Sequence, residues 1–344
     1  MNKELYKEIL NYFDKDLSLI QDEIKSLLLS DTNLNHNDLE DFGLLQNTAI
    51  TAQGTHNPLG LNPDFQKEVL DFLFAPSKRL RPVTLFLIRD MLNFKDTEGK
   101  ITKLAAALEL LHSATLVHDD IIDNAQKRRG GETFNFKYNS KLAVILGDYL
   151  LSLSLKLLSE IGSASIFSYF SENVLNICKG EINQFFNRGN TIEIEEYIEK
   201  SKGKTSSLFI AGAKSILYLI NEKNPVPNNA QRAILEFVLK FSLGFQIYDD
   251  IENFEAEYNN ALNEKLSSDI KNGIYTLPYL YISQQNHLYD MMKPDRESKI
   301  YTKALESSIC YLNNILDEAQ NSVKTLENVY NINLLIKLGE VFKK

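Results

Sequence analysis

Residues 105–123 read AAALELLHSATLVHDDIID, and this stretch predicts both a buried helix and a candidate site at its end. Small and apolar side chains recur every three or four residues as far as His118, which is the period of one helix face. Aspartates then follow, and Asp119 and Asp123 share a face because residues four apart are neighbours on a helix. The stretch therefore predicts a core helix that ends in clustered carboxylates.

A second acidic cluster, DDIEN at 249–253, follows another apolar run at 235–248. Asp249 and Asn253 again stand four residues apart, on one helix face. Carboxylates on one face repel each other unless a cation lies between them. Two such faces turned toward each other would suit Mg²⁺ shared with a phosphate-bearing substrate. Either cluster alone is more simply explained as a solvated cap, but the buried runs and the basic KRRGG at 127–131 favour a site.

The whole chain predicts an all-α fold, a large helical bundle with a central cavity. It has 344 residues, 44% of them hydrophobic, and no Pro/Gly/Ser-rich linker. We therefore expect a single domain over 1–344, with 1–63 as a divergent N-terminal helical region and loop. Helical periodicity predicts one long amphipathic helix from Leu5 to Leu27, the helix of the first acidic cluster, and others at roughly 65–74, 80–92, 140–161, 164–188, 193–200, 204–220, 228–250, 275–283 and 297–324. The intervening stretches 124–139 and 254–273 are expected to be irregular.

Composition excludes several classes of protein. The net charge of −9 argues against nucleic acid as a partner. Cys178 and Cys310 are too few for a disulfide scaffold, which fits a reducing cytoplasm. The N-terminus lacks a signal-peptide core. The most apolar run, 142–158, is too short and too interrupted for a transmembrane segment. A cytoplasmic, soluble protein is expected.

Eight segments in order carry a resemblance to a known family. They are KRLRP at 78–82, LHSATLVHDDIID at 111–123, RRG at 128–130, LGDYL at 146–150, GE at 180–181, KT at 204–205, GFQIYDD at 244–250 and TLP at 276–278. From about Phe72 to Leu280 the chain thereby resembles the trans-polyprenyl diphosphate synthases, of the medium- or long-chain type. Each segment alone is weak, but eight in the family's order are specific.

The resemblance implies a prenyltransferase with an isoprenoid-synthase-like fold, Mg²⁺ as cofactor and a homodimeric assembly. Its reaction joins an allylic diphosphate to isopentenyl diphosphate. The implied metal residues are Asp119, Asp120, Asp123, Asp249 and Asp250. Asp120 and Asp250 would hold metal-bound waters or orient the other ligands. The implied catalytic residues are Asp119, Asp123, Asp249, Lys204, Thr205 and Gln246, of which the last two would present oxygens to the developing cation. A helix-cap threonine and a buried amide are the alternative explanation for those two.

The resemblance also implies a basic clamp for each diphosphate. Isopentenyl diphosphate would be held by Lys78, Arg81, His112 and Arg129, and the allylic diphosphate by Arg128, Lys204 and Lys265, with Gln246 beside it. Arginine suits bidentate phosphate recognition, and lysine supplies a compact charge. His112 stands two helical turns before Asp119, so both are expected to face one cleft. Alone, that histidine would be a core residue.

Product length is expected to depend on Ala114 and Thr115. In short-chain members of the family a bulky aromatic near this position closes the pocket floor. Small residues here would leave it open for a medium or long product. They could instead only permit close helix packing, and the leucine-rich helix 140–161 could supply another floor.

Three departures from the family's pattern accompany the match. Pro76-Ser77 replaces Gly-Gly, Asn253 replaces the last acid of the second cluster, and Ile274 replaces a lysine. Slow or altered catalysis is therefore expected. Two alternatives stay open, a terpene-cyclase-like class I enzyme and a weakly active or regulatory partner subunit of a prenyl synthase. The basic clamp argues against the first, and the intact first acidic cluster against the second.

Overall fold

The computed structural model describes residues 1–30, 61–128, 130–186, 193–258, 275–284 and 299–344. Its helices are α1 (Lys3–Tyr12), α2 (Asp14–Ser30), α3 (Pro63–Phe74), α4 (Leu80–Met91), α5 (Lys100–Ile122), α6 (Phe134–Lys137), α7 (Ser140–Ile161), α8 (Ala164–Phe186), α9 (Ile194–Ser201), α10 (Ser207–Lys223), α11 (Asn228–Tyr258), α12 (Leu277–Ser283), α13 (Lys299–Lys324) and α14 (Asn333–Glu340). A π-helical turn, Lys202–Ser206, joins α9 to α10, and strands β1 (Lys127–Arg128) and β2 (Gly131–Glu132) form a short antiparallel hairpin. The all-α prediction is confirmed.

Helix α5 occupies the middle of the bundle. Its residues are buried almost continuously from Leu104 to Leu111, and it packs most extensively against α7. Gly147 of α7 permits this approach, because a Cβ there would clash with the imidazole of His118 on α5. The glycine of the LGDYL segment thus has a packing reason. It lets α7 pass directly over the last turn of α5, where the first acidic cluster begins.

The N-terminal prediction of one long helix is wrong. The chain breaks at Phe13, whose backbone leaves the helical region with φ −101° and ψ 13°. The ring of Phe13 is fully buried and lies 5.7 Å from that of Phe86 on α4. The apolar stripe continues through α1 and α2 on either side of the break. Periodicity therefore could not reveal a bend that core packing imposes.

The second acidic cluster lies inside a helix and not at its end. The sequence pattern predicts irregular chain from Phe254, but α11 continues to Tyr258. The ring of Phe254 is buried between those of Tyr279 and Tyr301, with centroids 5.0 and 4.9 Å away. This packing stabilises the additional turn of helix that ends at Tyr258. It also fixes Asp249 and Asn253 on one rigid helix. The stretch 124–139, also expected to be irregular, contains the hairpin and α6.

Among the described residues, one helix, α7, is long and apolar enough to cross a membrane. Its mean hydropathy over 18 residues is 1.6, and 44% of that window is buried in the fold. The buried side chains, such as Leu146 and Leu150, face the core of the bundle. The helix predicted at 140–161 therefore packs one face against the core.

Candidate active site

A cavity of about 580 Å³ opens among α4, α5, α9, the π-helical turn and α11. Its volume is that of an ordinary small-molecule site. Most residues proposed from the sequence line it, namely Lys78, Arg81, His112, Thr115, Asp119, Asp123, Lys204, Thr205, Gln246, Asp249 and Asp250. Lys78 and Asp249, which are 171 residues apart in the chain, thus meet around one space. Arg129 and Lys265 lie outside the described residues.

The first acidic wall is the C-terminal turn of α5. Burial raises the pKa of Asp119, and repulsion from Glu181 and Asp123 adds to the effect, while Lys204 opposes it. The ammonium of Lys204 lies 2.7 Å from Glu181 and 3.7 Å from Asp119. Burial disfavours this ammonium, but the two carboxylates outweigh burial and raise its pKa. The wall is therefore a desolvated anionic surface with one lysine compensating part of its charge.

The second acidic wall is formed by α11. Asp249 accepts a hydrogen bond of 2.5 Å from the ammonium of Lys78, and burial raises the pKa of the Asp249 carboxyl. The same ammonium lies over the rings of Phe245 and Tyr248, 4.8 and 5.5 Å from their centroids. Such faces attract a cation. Asn253, the predicted departure from the family's acid, also lines the cavity.

The middle acid of each cluster is held by other side chains. Asp120 is 4% exposed and lies outside the cavity lining, with the guanidinium of Arg128 donating from 2.7 and 2.8 Å to its oxygens. Asp250 is 6% exposed and accepts hydrogen bonds from Tyr197 at 2.5 Å and Gln246 at 2.9 Å. Both carboxylates are therefore positioned as supports for their neighbours. Arg128, expected at the allylic diphosphate, is engaged by Asp120 in this state.

The π-helical turn places two of the proposed residues on the cavity wall. Such turns insert an extra residue into a helix and occur frequently at functional sites. Here the turn directs Lys204 toward Asp119 and Thr205 toward α11. The hydroxyl of Thr205 donates to the amide oxygen of Gln246 at 2.5 Å, and Gln246 in turn donates to Asp250. Thr205 and Gln246 thus form one chain of hydrogen bonds that ends on the second acidic cluster.

The loop before α4 carries the basic clamp despite the loss of Gly-Gly. Pro76 and Ser77 line the cavity, and the left-handed conformation falls on Arg79, with φ 46°. This conformation is uncommon outside glycine. The guanidinium of Arg79 is fixed by Glu109 at 2.5 Å and by the carbonyl of Leu73 at 2.6 Å. These charge-assisted bonds hold the loop so that Lys78 and Arg81 face the cavity.

The guanidinium of Arg81 lies 4.9 Å from the ring centroid of Phe209, a cation–π contact that orients it. His112 and Asp119 both line the cavity, as two helical turns of separation require. Ile274, the third predicted departure, lies outside the described residues.

The two residues proposed to set product length have different surroundings. Thr115 lines the cavity, and its hydroxyl donates to the backbone carbonyl of His112 at 2.8 Å. Ala114 is 2% exposed and does not line the cavity. Leu116 and Ile177 supply apolar lining beyond Asp119. The role of Ala114 and Thr115 stays a prediction.

The donor set fits Mg²⁺ carried by a substrate. In the part of the chain that the structure describes, no three acidic, histidine or cysteine side chains form a ready-made metal cluster. Mg²⁺ is characteristically bound by one or two carboxylates together with substrate phosphates and waters. Asp119, Asp123 and Asp249 would supply such carboxylates, and burial raises the pKa values of Asp119 and Asp249, so a bound cation would stabilise the charged form of both.

Sequence reasoning missed three residues of this site. Tyr197 is buried and holds Asp250, although 53 residues separate them. Glu181 stands in the GE segment, yet its ion pair with Lys204 had no sequence signal. Lys200 lines the cavity beside them. Glu181 could have been found from its motif, but the other two could not, because no spacing links α9 to its partners.

Comparison with known proteins agrees with this geometry. The family model "Polyprenyl synthetase" matches residues 63–308. "Prenyl transferase" of Cyanidium caldarium is 29% identical over 291 residues, 81% of this chain and 88% of that protein. "Heptaprenyl diphosphate synthase component 2" of Bacillus subtilis (strain 168) is 30% identical over 272 residues, 75% of this chain and 76% of that protein.

Solved structures show the same fold. A decaprenyl diphosphate synthase from Rhodobacter capsulatus superposes with a TM-score of 0.73 at 18% identity, covering 98% of this chain and all of that one. A polyprenyl synthase from Caulobacter crescentus CB15, complexed with calcium and isoprenyl diphosphate, gives 0.72 at 20% identity, covering 98% and 95%. The chain belongs to the polyprenyl synthetase family and is a prenyltransferase of the polyprenyl diphosphate synthase type.

Proposed function

We propose that this chain catalyses Mg²⁺-dependent elongation of an allylic diphosphate with isopentenyl diphosphate, giving a trans-polyprenyl diphosphate. One observation carries the proposal. Asp119 on α5, Asp123 at the C-cap of α5 and Asp249 on α11 line the same cavity as the cations Lys78 and Arg81. Carboxylates and phosphate-binding cations on one cavity provide for a metal-bound diphosphate and for a second diphosphate held without metal.

In the proposed reaction, the C–O bond of the allylic diphosphate breaks and leaves an allylic cation. The double bond of isopentenyl diphosphate attacks this cation and forms the new C–C bond. The released diphosphate then takes the proton that restores a double bond. When bound, Mg²⁺ neutralises the charge of the departing diphosphate.

The chain's own residues orient the reactants. Lys204 would contact the allylic diphosphate once it leaves Glu181, and Arg81 and His112 would hold the isopentenyl diphosphate. Thr205 and Gln246 would direct oxygens at the cation. Asp120 and Asp250 would act through the carboxylates beside them, with Arg128 and Tyr197 as their supports. Arg129 and Lys265 complete the proposed clamps.

A medium or long product is proposed from the small side chain of Thr115 and the apolar lining that follows it. Positions 114 and 115 carry alanine and threonine, so no aromatic side chain at these positions closes the floor of the cavity. Relatives named for heptaprenyl and decaprenyl products include proteins from Bacillus subtilis and Dictyostelium discoideum. These names support a long-chain product, and chain length varies among them.

We propose a homodimer that forms through α7 and α8. These helices expose Ile145, Leu175, Ile182 and Phe186 at 62%, 53%, 57% and 78%. Leu175, Ile182 and Phe186 follow one another at seven and four residues and so lie on one face of α8. Clustered exposed apolar residues mark an interaction surface, and a second copy would bury them symmetrically. Light scattering should give the mass of two chains for the purified protein. Ile182→Asp should halve it, whereas Val329→Asp, at an exposed position on another part of the surface, should not.

A monomeric wild type would instead favour a different partner chain, as the name "component 2" of the Bacillus subtilis relative suggests. The exposed thiols of Cys178 and Cys310 are both free. They support the expectation of a reducing, cytoplasmic setting.

Incubation with Mg²⁺, labelled isopentenyl diphosphate and farnesyl or geranylgeranyl diphosphate tests the activity. We expect a ladder of extracted products that ends at one dominant length. Release of diphosphate with a cyclised hydrocarbon, and without incorporated label, would favour the cyclase alternative. Absence of incorporation alongside a working synthase, followed by its recovery on adding a homologous chain, would favour the partner-subunit alternative.

A further inference from the structure

Lys200 takes no part in the proposed reaction, yet it lines the cavity. It lies in the last turn of α9, four residues before Lys204 and three after Tyr197. These residues lie between the two acidic clusters. Lys204 lies near Asp119 of the first cluster, and the hydroxyl of Tyr197 donates a hydrogen bond to Asp250 of the second. Lys200 therefore belongs to the same surface as two residues that already contact the acidic clusters.

The charge of Lys200 is not compensated as that of its neighbours is. Lys204 has Glu181 at 2.7 Å and Lys78 has Asp249 at 2.5 Å. Among the described residues, no carboxylate lies within 4.0 Å of the Lys200 ammonium. Burial lowers its pKa, and the like charge of Lys204 lowers it further, while Glu181, Asp250 and Glu196 oppose this from a distance.

A half-buried cation without a close counter-ion costs free energy that an entering anion can recover. The anion this cavity is proposed to receive beside Lys204 is a diphosphate. Two lysines four residues apart on one helical surface present two point charges to such a group. Glu181, beside the first acidic wall, and Asp250, in the second, both act on the charge of Lys200, so a diphosphate held between the two walls would lie near this ammonium.

We propose that Lys200 is a further substrate-binding residue, which contacts the allylic diphosphate together with Lys204. The inference rests on the proposed function, because it assumes a metal-bound diphosphate in this cavity. Lys200 takes part in no covalent step; its role is to bind the diphosphate through its charge. It strengthens binding of the allylic diphosphate and of the diphosphate released from it, and it leaves the isopentenyl diphosphate clamp unchanged.

The test measures binding of inorganic diphosphate with Mg²⁺ by calorimetry to the full-length wild type, Lys200→Gln and Lys200→Arg. Loss of one charged hydrogen bond is expected to weaken binding of Lys200→Gln about tenfold. Lys200→Arg should stay within about threefold of the wild type. Lys202→Gln is the matched control, since Lys202 lies two residues on, outside the lining, and pairs with Glu199 at 2.6 Å.

A second readout separates binding from a structural role. Lys200→Gln should keep or raise the melting temperature without ligand, because it removes repulsion from Lys204, whereas a structural lysine would lower it. In steady state, KM should rise for the allylic diphosphate and not for isopentenyl diphosphate.

Wild-type protein that fails to bind diphosphate with Mg²⁺ would sink the proposed function itself. Wild-type binding with Lys200→Gln within twofold of it would overturn only the role of Lys200. Equal weakening by Lys202→Gln would also overturn it, since the effect would then be one of general charge.

Discussion

The ammonium of Lys78 lies 2.5 Å from the carboxylate of Asp249. A residue proposed to bind isopentenyl diphosphate thus neutralises a residue proposed to bind metal. Three aromatic rings, those of Phe245, Tyr248 and Phe342, surround the same ammonium within 5.7 Å. The lysine therefore has a built resting position, in which it competes with a metal ion at Asp249.

Lys78→Met should tighten metal binding at the second acidic wall. Both side chains of the pair are about one-third exposed, so its loss should change affinity by about 1 kcal/mol, or roughly fivefold. Mn²⁺, bound without substrate and followed by electron paramagnetic resonance, would measure this. Lys137→Met, which removes a surface pair with Glu68, is the control. Unchanged or weaker Mn²⁺ binding by Lys78→Met would show that the lysine does not compete.

The acid limb of the pH–rate profile should depend on Mg²⁺. Burial raises the pKa of Asp119 and Asp249 above their ordinary 3.8, so protons compete with metal at a higher pH than at exposed aspartates. A tenfold increase in limiting Mg²⁺ should move the limb toward lower pH, by about one unit if one proton is displaced and by about half a unit if two are displaced together. A limb that stays in place at all Mg²⁺ concentrations would contradict this competition.

Without metal, the same raised pKa values affect the free energy of unfolding in the opposite direction: lower pH favours the folded state, although it opposes metal binding. The folded state takes up these protons more readily than the unfolded state. The two groups therefore stabilise the fold as pH falls through their folded pKa values, and this contribution is lost as pH rises.

Tyr197→Phe should lower the free energy of unfolding by about 1.5–3 kcal/mol, because it removes a charge-assisted hydrogen bond to buried Asp250. It should also weaken Mg²⁺-diphosphate binding, since Asp250 loses its support. Tyr138→Phe provides a matched control, because the hydroxyl of Tyr138 donates to the carboxylate of Glu68 at 2.8 Å on the exposed surface. Urea denaturation of both variants measures the difference. Equal losses of unfolding free energy in the two variants would mean that the buried hydrogen bond between Tyr197 and Asp250 stabilises the fold no more than an exposed one.

Gly147→Ala should be less stable than Gly180→Ala by about 1–3 kcal/mol. A Cβ at Gly147 requires the ring of His118 to leave α7, whereas one at Gly180 meets nothing within 4 Å. Both glycines lie inside helices, so replacement by alanine gives each variant the same gain in helix propensity, and this gain cancels in the comparison. Adding His118→Ala should restore most of the loss in thermal denaturation. A Gly147→Ala variant as stable as Gly180→Ala would show that the ring moves without cost.

The sequence was sufficient for the bundle and for both acidic faces, because periodicity and i, i+4 spacing are local properties. Asp119 and His112 share a helix, and so do Asp249 and Gln246, so each pair was predictable within one element. The family's segments then predicted that these helices meet.

What the sequence did not predict depends on contacts between distant segments. Tyr197 and Asp250, or Glu181 and Lys204, are paired by the way α8, α9 and α11 pack, and no local pattern encodes that. The break at Phe13 has the same cause, since the apolar stripe is unaffected while the backbone turns. Arg79 is a further case, because its left-handed backbone is stabilised by Glu109 from another helix.

The proposed reaction requires the carboxylates at the end of α5 and on α11 to act together on a metal-bound allylic diphosphate. Single-turnover incorporation of labelled isopentenyl diphosphate by Asp119→Ala/Asp123→Ala tests it most directly, with circular dichroism to confirm folding. We expect a loss of at least about 1,000-fold, since this variant removes two charged groups that act on the leaving group. If the folded variant kept its turnover, Mg²⁺ held by Asp119 and Asp123 could not be what assists departure of the diphosphate.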